Sequence, residues 1–253
     1  MSKLLLEISF LGTAYHGYQV QPNANTVQQR LNIASKSLFG VDCDIVGCSR
    51  TDSGVHANQF FVTVCEAGRN SLYTNISSKK IPQALSFYLP DDISVRSAVF
   101  VDEDFHARYD VKYKEYLYCI WDKREKNPFL YDRSWHYCRP INDDTICRMN
   151  QAAANFIGTH DFSSYMASNS SVKSTVRTIY DSVVYRKDDL VCFKICGDGF
   201  LYNMVRIMMG TLIYVAENKI APEDIISITN SCDRSKAGLT APPTGLFLNR
   251  VVY

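Results

Sequence analysis

Thr178-Ile-Tyr-Asp-Ser-Val-Val-Tyr-Arg-Lys-Asp-Asp-Leu-Val-Cys-Phe-Lys-Ile-Cys196 is the stretch on which the fold class turns. Thr178–Tyr185 and Leu190–Cys196 are rich in β-branched and aromatic residues, and the polar Arg186–Asp189 between them reads as a turn. Strands joined so closely pair antiparallel, because parallel neighbours need a long crossover. Working outward, strands are predicted at Lys3–Phe10, Phe60–Val64, Tyr113–Trp121 and Leu246–Val252. A helix starts at Thr26, with Gln29 completing a capping box, and Gly40 closes it. Further helices are predicted over Ser78–Phe87, where Leu89-Pro-Asp-Asp92 breaks the chain, over Asp143–Phe156, from Phe200, and after Pro222. Helices mixed with hairpin-linked strands define an α+β fold rather than a doubly wound parallel sheet.

Arg30–Gly40 aligns with Arg148–Gly158, with Arg, Asn, Ala and Gly identical in place and both helices ending at glycine. Duplication and ordinary helix grammar both explain the match. Duplication is the favoured reading, and it divides the chain into residues 1–104 and 105–253. Two such α+β units side by side would leave a central cleft for a ligand.

The chain has 253 residues and a formal net charge of +1, which excludes a polybasic protein whose partner follows from bulk charge. The average conceals a distribution. Residues 1–104 carry 8 basic and 10 acidic groups, whereas residues 105–140 carry 8 and 5. Residues 170–210 are also basic, at net +2. The 105–140 stretch holds ten aromatic residues, a mixture that suits unpaired nucleic acid and equally suits a tyrosine-rich strand packed on a core. The nine cysteines form no regular framework and no Cys-x-x-Cys pair, so neither disulfides nor a zinc site is expected and a cytoplasmic setting is. Cys192 and Cys196 share one face of a strand and are expected to be buried thiols.

Arg206 lies near the middle of the apolar run Phe200–Ala216, which is short for a membrane span and fits a core helix. Such an arginine must meet a carboxylate or an anionic ligand, or else snorkel to water at the helix rim. Three segments could carry chemistry: Ser49–Ala57, Phe105–Arg108 running into Lys112–Tyr118, and Gly197–Arg206. In the first, Asp52-Ser-Gly54 is a turn flanked by Arg50 and His56, able to hold a carboxylate rigidly.

With these pieces in order, the chain resembles the TruA-type tRNA pseudouridine synthases. The matching pieces are Gly12-Thr-Ala-Tyr-His-Gly-Tyr-Gln19, Arg50-Thr-Asp-Ser-Gly-Val-His-Ala57, Leu89-Pro-Asp-Asp-Ile93 and Phe105-His-Ala-Arg108. They continue through Lys114-Glu-Tyr116, Gly158-Thr-His-Asp-Phe162, Arg177-Thr-Ile179, Gly199-Phe-Leu-Tyr-Asn-Met-Val-Arg206 and Ala241-Pro-Pro-Thr-Gly-Leu246. The chain departs from the family at Tyr18, where tryptophan is usual, and at Gly47-Cys-Ser49, where glycine–alanine–glycine is usual. The second departure is expected to cost backbone freedom beside the Asp52 turn.

The resemblance implies the pseudouridine synthase fold, with mainly antiparallel sheets in two related subdomains flanking the cleft. It also implies Asp52 as catalytic aspartate, Tyr116 as the ring stacked on the target uracil, and Arg206 as the partner of the aspartate. The substrate it implies is the anticodon arm of tRNA at positions 38 to 40, handled by a homodimer with no membrane association. Arg50, Arg108 and Lys114 join Tyr116 as RNA-binding candidates; His56 and His106 are expected to brace loops. Isomerising uridine breaks N1–C1′ and joins C5 to C1′ with no redox step, so neither cofactor nor metal is expected. Two rival readings remain: a catalytically silent tRNA-binding protein, and a hydrolase with Asp52 as nucleophile, which lacks a second acid.

Overall fold

A computed structural model describes residues 2–168 and 172–253. Two compact units emerge: Met1–Lys112 with Leu248–Tyr253, and Tyr113–Phe247. In the first, β1 (Ser2–Phe10), α1 (Val27–Phe39), β2 (Cys43–Gly47), β3 (His56–Glu66), α2 (Ile81–Ser86) and β4 (Ile93–Asp102) follow in order. The second holds β5 (Tyr113–Trp121), β6 (Trp135–His136), α3 (Asp143–Ala154), β7 (Gly158–Asp161), β8 (Val176–Lys187), β9 (Leu190–Gly197), α4 (Met204–Ala216) and α5 (Asp224–Asn230). β10 (Leu246–Val252) closes the chain, and its residues from Leu248 onward belong to the first unit.

The hairpin read from residues 178–196 is present: β8 and β9 pair antiparallel from Lys187↔Leu190 to Ile179↔Gly197. β9 in turn pairs antiparallel with β5 without a register break. In the first unit the order is β4-β1-β3-β10, with β2 on the side of β3. The pairings of β1 with β3 and β4, of β2 with β3, and of β7 with β8 are antiparallel too, whereas the two-residue β5–β6 contact is parallel. Alternate residues of β1 and β3 fill the first core, with Leu4, Leu6, Ile8, Phe60, Val62 and Val64 fully enclosed. Cys192 and Cys196 are buried thiols as expected.

Thr26 caps α1 by accepting from Gln29 N at 3.3 Å, and Gly40 closes that helix in a left-handed conformation. The parallel drawn between α1 and α3 fails at the closing glycine. α3 ends at Asn155 in right-handed backbone, and Gly158 instead opens β7 at φ +118°. The helix expected from Phe200 starts at Met204, because Asn203 takes φ +60° and cannot continue a helical turn upstream.

Asp122 anchors the second unit. Its side chain is 4 % exposed and meets the Arg186 guanidinium at 3.2 and 2.9 Å, while Ile141 N donates to it at 2.9 Å. Burial alone would raise the Asp122 carboxyl; the Arg186 and Ile141 hydrogen bonds outweigh it and hold the group below its ordinary 3.8. A depressed carboxylate stabilises the fold above its unfolded pKa, and that contribution disappears as pH falls through the folded pKa. Asp122→Ala should therefore cost about 1–3 kcal/mol in urea unfolding at pH 7, because it leaves the buried Ile141 amide and the half-buried Arg186 guanidinium without their carboxylate. The gap between parent and variant should shrink only below about pH 4. An equal gap at pH 7 and at about pH 2.5 would refute this assignment.

Candidate active site

Asp52 occupies the first position of a tight turn closed by Val55 N donating to Asp52 O at 3.1 Å. Gly54 takes φ +78° at the third position, as a type II turn requires. A second loop, residues 11–18, grips this turn from both sides. Gly54 N donates to Tyr15 O at 3.2 Å, Ser53 Oγ to the same oxygen at 3.3 Å, and Tyr18 N to Thr51 O at 3.2 Å. A β-carbon at Gly12 would lie 2.0 Å from the Val55 carbonyl oxygen, so only glycine allows this approach. His56 is fully buried and its Nδ1 accepts from Gly12 N at 2.9 Å. Its bond to the loop backbone matches the bracing role expected of it.

The two departures from the family pattern are absorbed locally. Tyr18 is buried against Phe60, ring centroids 4.5 Å apart, where a β-carbon at Gly47 would collide with it. Its hydroxyl is enclosed without a hydrogen-bond partner among the described residues, and burial keeps the phenol protonated. Cys48 N donates to Phe61 O at 2.8 Å and Cys48 Sγ accepts from Phe61 N at 3.3 Å. Neither Cys48 nor Ser49 has a positive φ, so the expected loss of backbone freedom carries no strain here.

In the second unit, Tyr116 sits on β5 opposite Ile195, 7 % exposed, with the Phe200 ring edge-on at 4.9 Å. Arg206 projects from the first turn of α4, part-buried. Its Nε donates to Ala241 O at 2.8 Å and its Nη1 to Asn203 Oδ1 at 2.7 Å. Ala241 N returns a bond to Arg206 O at 3.1 Å, and Tyr118 Oη donates to Pro242 O at 2.6 Å. The Ala241–Leu246 segment thus ties the arginine helix to the strand of Tyr116. Its paired prolines and glycine are visible in the sequence, but nothing there assigns the segment this task. Asn203, with its left-handed backbone, is likewise absent from the sequence-based candidates.

The remaining candidates lie on three different segments of the chain. Arg50 is exposed and forms no ion pair among the described residues, which removes the structural alternative considered for it. Arg108 is exposed, its guanidinium 5.8 Å from the Tyr109 ring centroid. His106 Nδ1 accepts from Arg108 N at 3.1 Å and Tyr109 N at 3.3 Å, again a bracing role. Lys114 lies half-buried on β5 opposite Gly197. Of the aromatic-rich stretch, Tyr116 and Tyr118 are core residues, while Phe129 and Tyr131 are 78 % and 80 % exposed. Among the described residues, no cluster of three or more His, Cys, Asp or Glu is placed to hold a metal ion. No helix among them is long and apolar enough to cross a membrane.

The turn that carries Asp52 and the hydrogen-bonded Arg206 belong to mainly antiparallel units, a class of α+β protein that hosts many activities. Comparison with known proteins narrows the class. The family profile described as "tRNA pseudouridine synthase" matches residues 8–110 and 152–253. A "tRNA pseudouridine synthase A" of Thermoanaerobacter sp. (strain X514) is 43 % identical over 253 residues, covering all of both chains. Proteins of the same description from Acetivibrio thermocellus and Clostridium acetobutylicum are 43 % and 39 % identical, again over the full length of both chains. The chain belongs to the tRNA pseudouridine synthase family, a family of isomerases.

Proposed function

We propose that this protein converts uridine to pseudouridine at positions 38, 39 and 40 of the tRNA anticodon stem-loop. Asp52 serves as the catalytic carboxylate, Tyr116 stacks on the flipped uracil, and Arg206 pairs with the aspartate. The catalytic loop belongs to residues 1–104, and the tyrosine and the arginine helix to residues 105–253. The observation that carries this reading is the clamped Asp52 turn, which fixes the backbone bearing the carboxylate before substrate arrives. Such a group acts as nucleophile or base without cofactor or metal. Extracting a stacked uridine costs a few kcal/mol, and stacking on an aromatic ring returns roughly 1–3 kcal/mol. Exposed Arg50 and Arg108, with Lys114, supply phosphate contacts. A homodimer in the cytoplasm would extend this limited basic surface along one tRNA.

The test is tritium release from tRNA labelled at uridine C5, in the presence of a chelator. Release in proportion to the uridines at positions 38 to 40 is expected. Tight tRNA binding without release would support the catalytically silent alternative. No release from any tRNA would overturn the proposal.

A further inference from the structure

Asp92 belongs to the Leu89–Ile93 segment, which leads into β4 and has no place in the chemistry above. Tyr15 Oη donates to Asp92 Oδ1 at 2.5 Å, a short bond of the charge-assisted kind. Tyr15 is 3 % exposed, so its ring cannot swing to water without opening the core. Burial, reinforced by Asp92, holds the phenol protonated far above neutrality, keeping it a donor throughout the working range. The backbone of Asp92 is tied in as well: Leu11 N donates to Asp92 O at 2.9 Å. Loop 11–18 is thus fastened to Asp92 at its entry and again at its centre. The centre is where Tyr15 O receives Gly54 N and Ser53 Oγ, from the two residues that follow Asp52.

We propose that Tyr15 and Asp92 are positioning residues for Asp52: the phenol–carboxylate bond fixes the Tyr15 carbonyl, and that carbonyl fixes the turn bearing the catalytic carboxylate. The inference rests on the reading of Asp52 as the catalytic group. A displacement of about 1 Å in a reacting group can cost up to about a hundredfold in rate, so a bond one residue removed from the turn is worth having. Neither residue touches the RNA in this scheme, so binding should not register its loss.

Four variants test it: Tyr15→Phe, Asp92→Ala, Asp92→Asn and Asp52→Ala, each compared in single-turnover rate, tRNA Kd and Tm. Tyr15→Phe, nearly isosteric, should slow the single-turnover rate about tenfold with Kd within about twofold. Asp92→Ala should match it, and the double variant should be no slower than either single one, because both remove the same bond. Asp92→Asn should recover most of the rate, since an amide oxygen accepts the same hydrogen bond. Asp52→Ala separates the two levels. If it is inactive while Tyr15→Phe retains the full rate, the positioning role is wrong and the catalytic reading stands. If Asp52→Ala remains active, the catalytic reading itself fails. Rates that fall only in step with Tm or Kd would also overturn the positioning role.

Discussion

Asp52→Ala is expected to bind tRNA within about threefold of the parent and to form pseudouridine at least about ten-thousandfold more slowly. The backbone of the turn does not depend on that carboxylate. The turn is closed by the Asp52 carbonyl, not its side chain, and the grip of loop 11–18 falls on Thr51, Ser53 and Gly54 backbone or hydroxyl atoms. Removing the carboxylate leaves all of those bonds in place. Asp52→Asn is nearly isosteric and keeps polar atoms at the site, so it isolates the loss of the anionic oxygen. Both variants should release no tritium above background while still unfolding cooperatively, with any fall in Tm no larger than the several degrees expected of Arg206→Lys. Activity surviving in either would remove Asp52 from the chemistry.

Much of this arrangement is legible in the sequence. The helix cap at Thr26, the strands at residues 113–121 and 246–252 and the hairpin at residues 178–196 are local patterns, and local patterns survive folding. β4 is not legible, for an identifiable reason. Ile8 pairs with Val95 and Glu7 with Ser97, so Arg96 is an extra residue in the ladder. Such a bulge shifts the alternation by one position. Ile93 and Val95 face the core before the bulge and Ala98 after it, which erases the period-two signal. The site is readable in part. Asp52 stands in a recognisable motif, whereas the Tyr15–Asp92 bond joins residues 77 positions apart. From sequence, Arg206 either meets a carboxylate or an anionic ligand or snorkels to water. The structure leaves it part-buried and adds two orienting hydrogen bonds, to Ala241 O and Asn203 Oδ1, that neither reading contains. Asn203 escapes notice because nothing in its neighbours announces a left-handed residue at a helix start.

Those bonds make Arg206→Lys the second large effect. A lysine keeps the charge but offers a point cation in place of a planar fork. It cannot hold the Ala241 carbonyl and the Asn203 side chain as the guanidinium does and also serve the proposed pairing with Asp52. The rate of pseudouridine formation should fall by about a hundredfold or more, in the range seen when one preorganised donor to a reacting group is lost. Two acceptors would also lose their donor, at about 1–3 kcal/mol for each that stays dry, so Tm should drop by several degrees. Asn203→Gly separates the two contributions. It preserves the left-handed backbone and removes only the oxygen that orients Nη1, so it should slow the reaction by several-fold with Arg206 still present. Should the Arg206→Lys enzyme keep the parent rate, charge alone would suffice, and the fixed orientation of the guanidinium would have no part in catalysis.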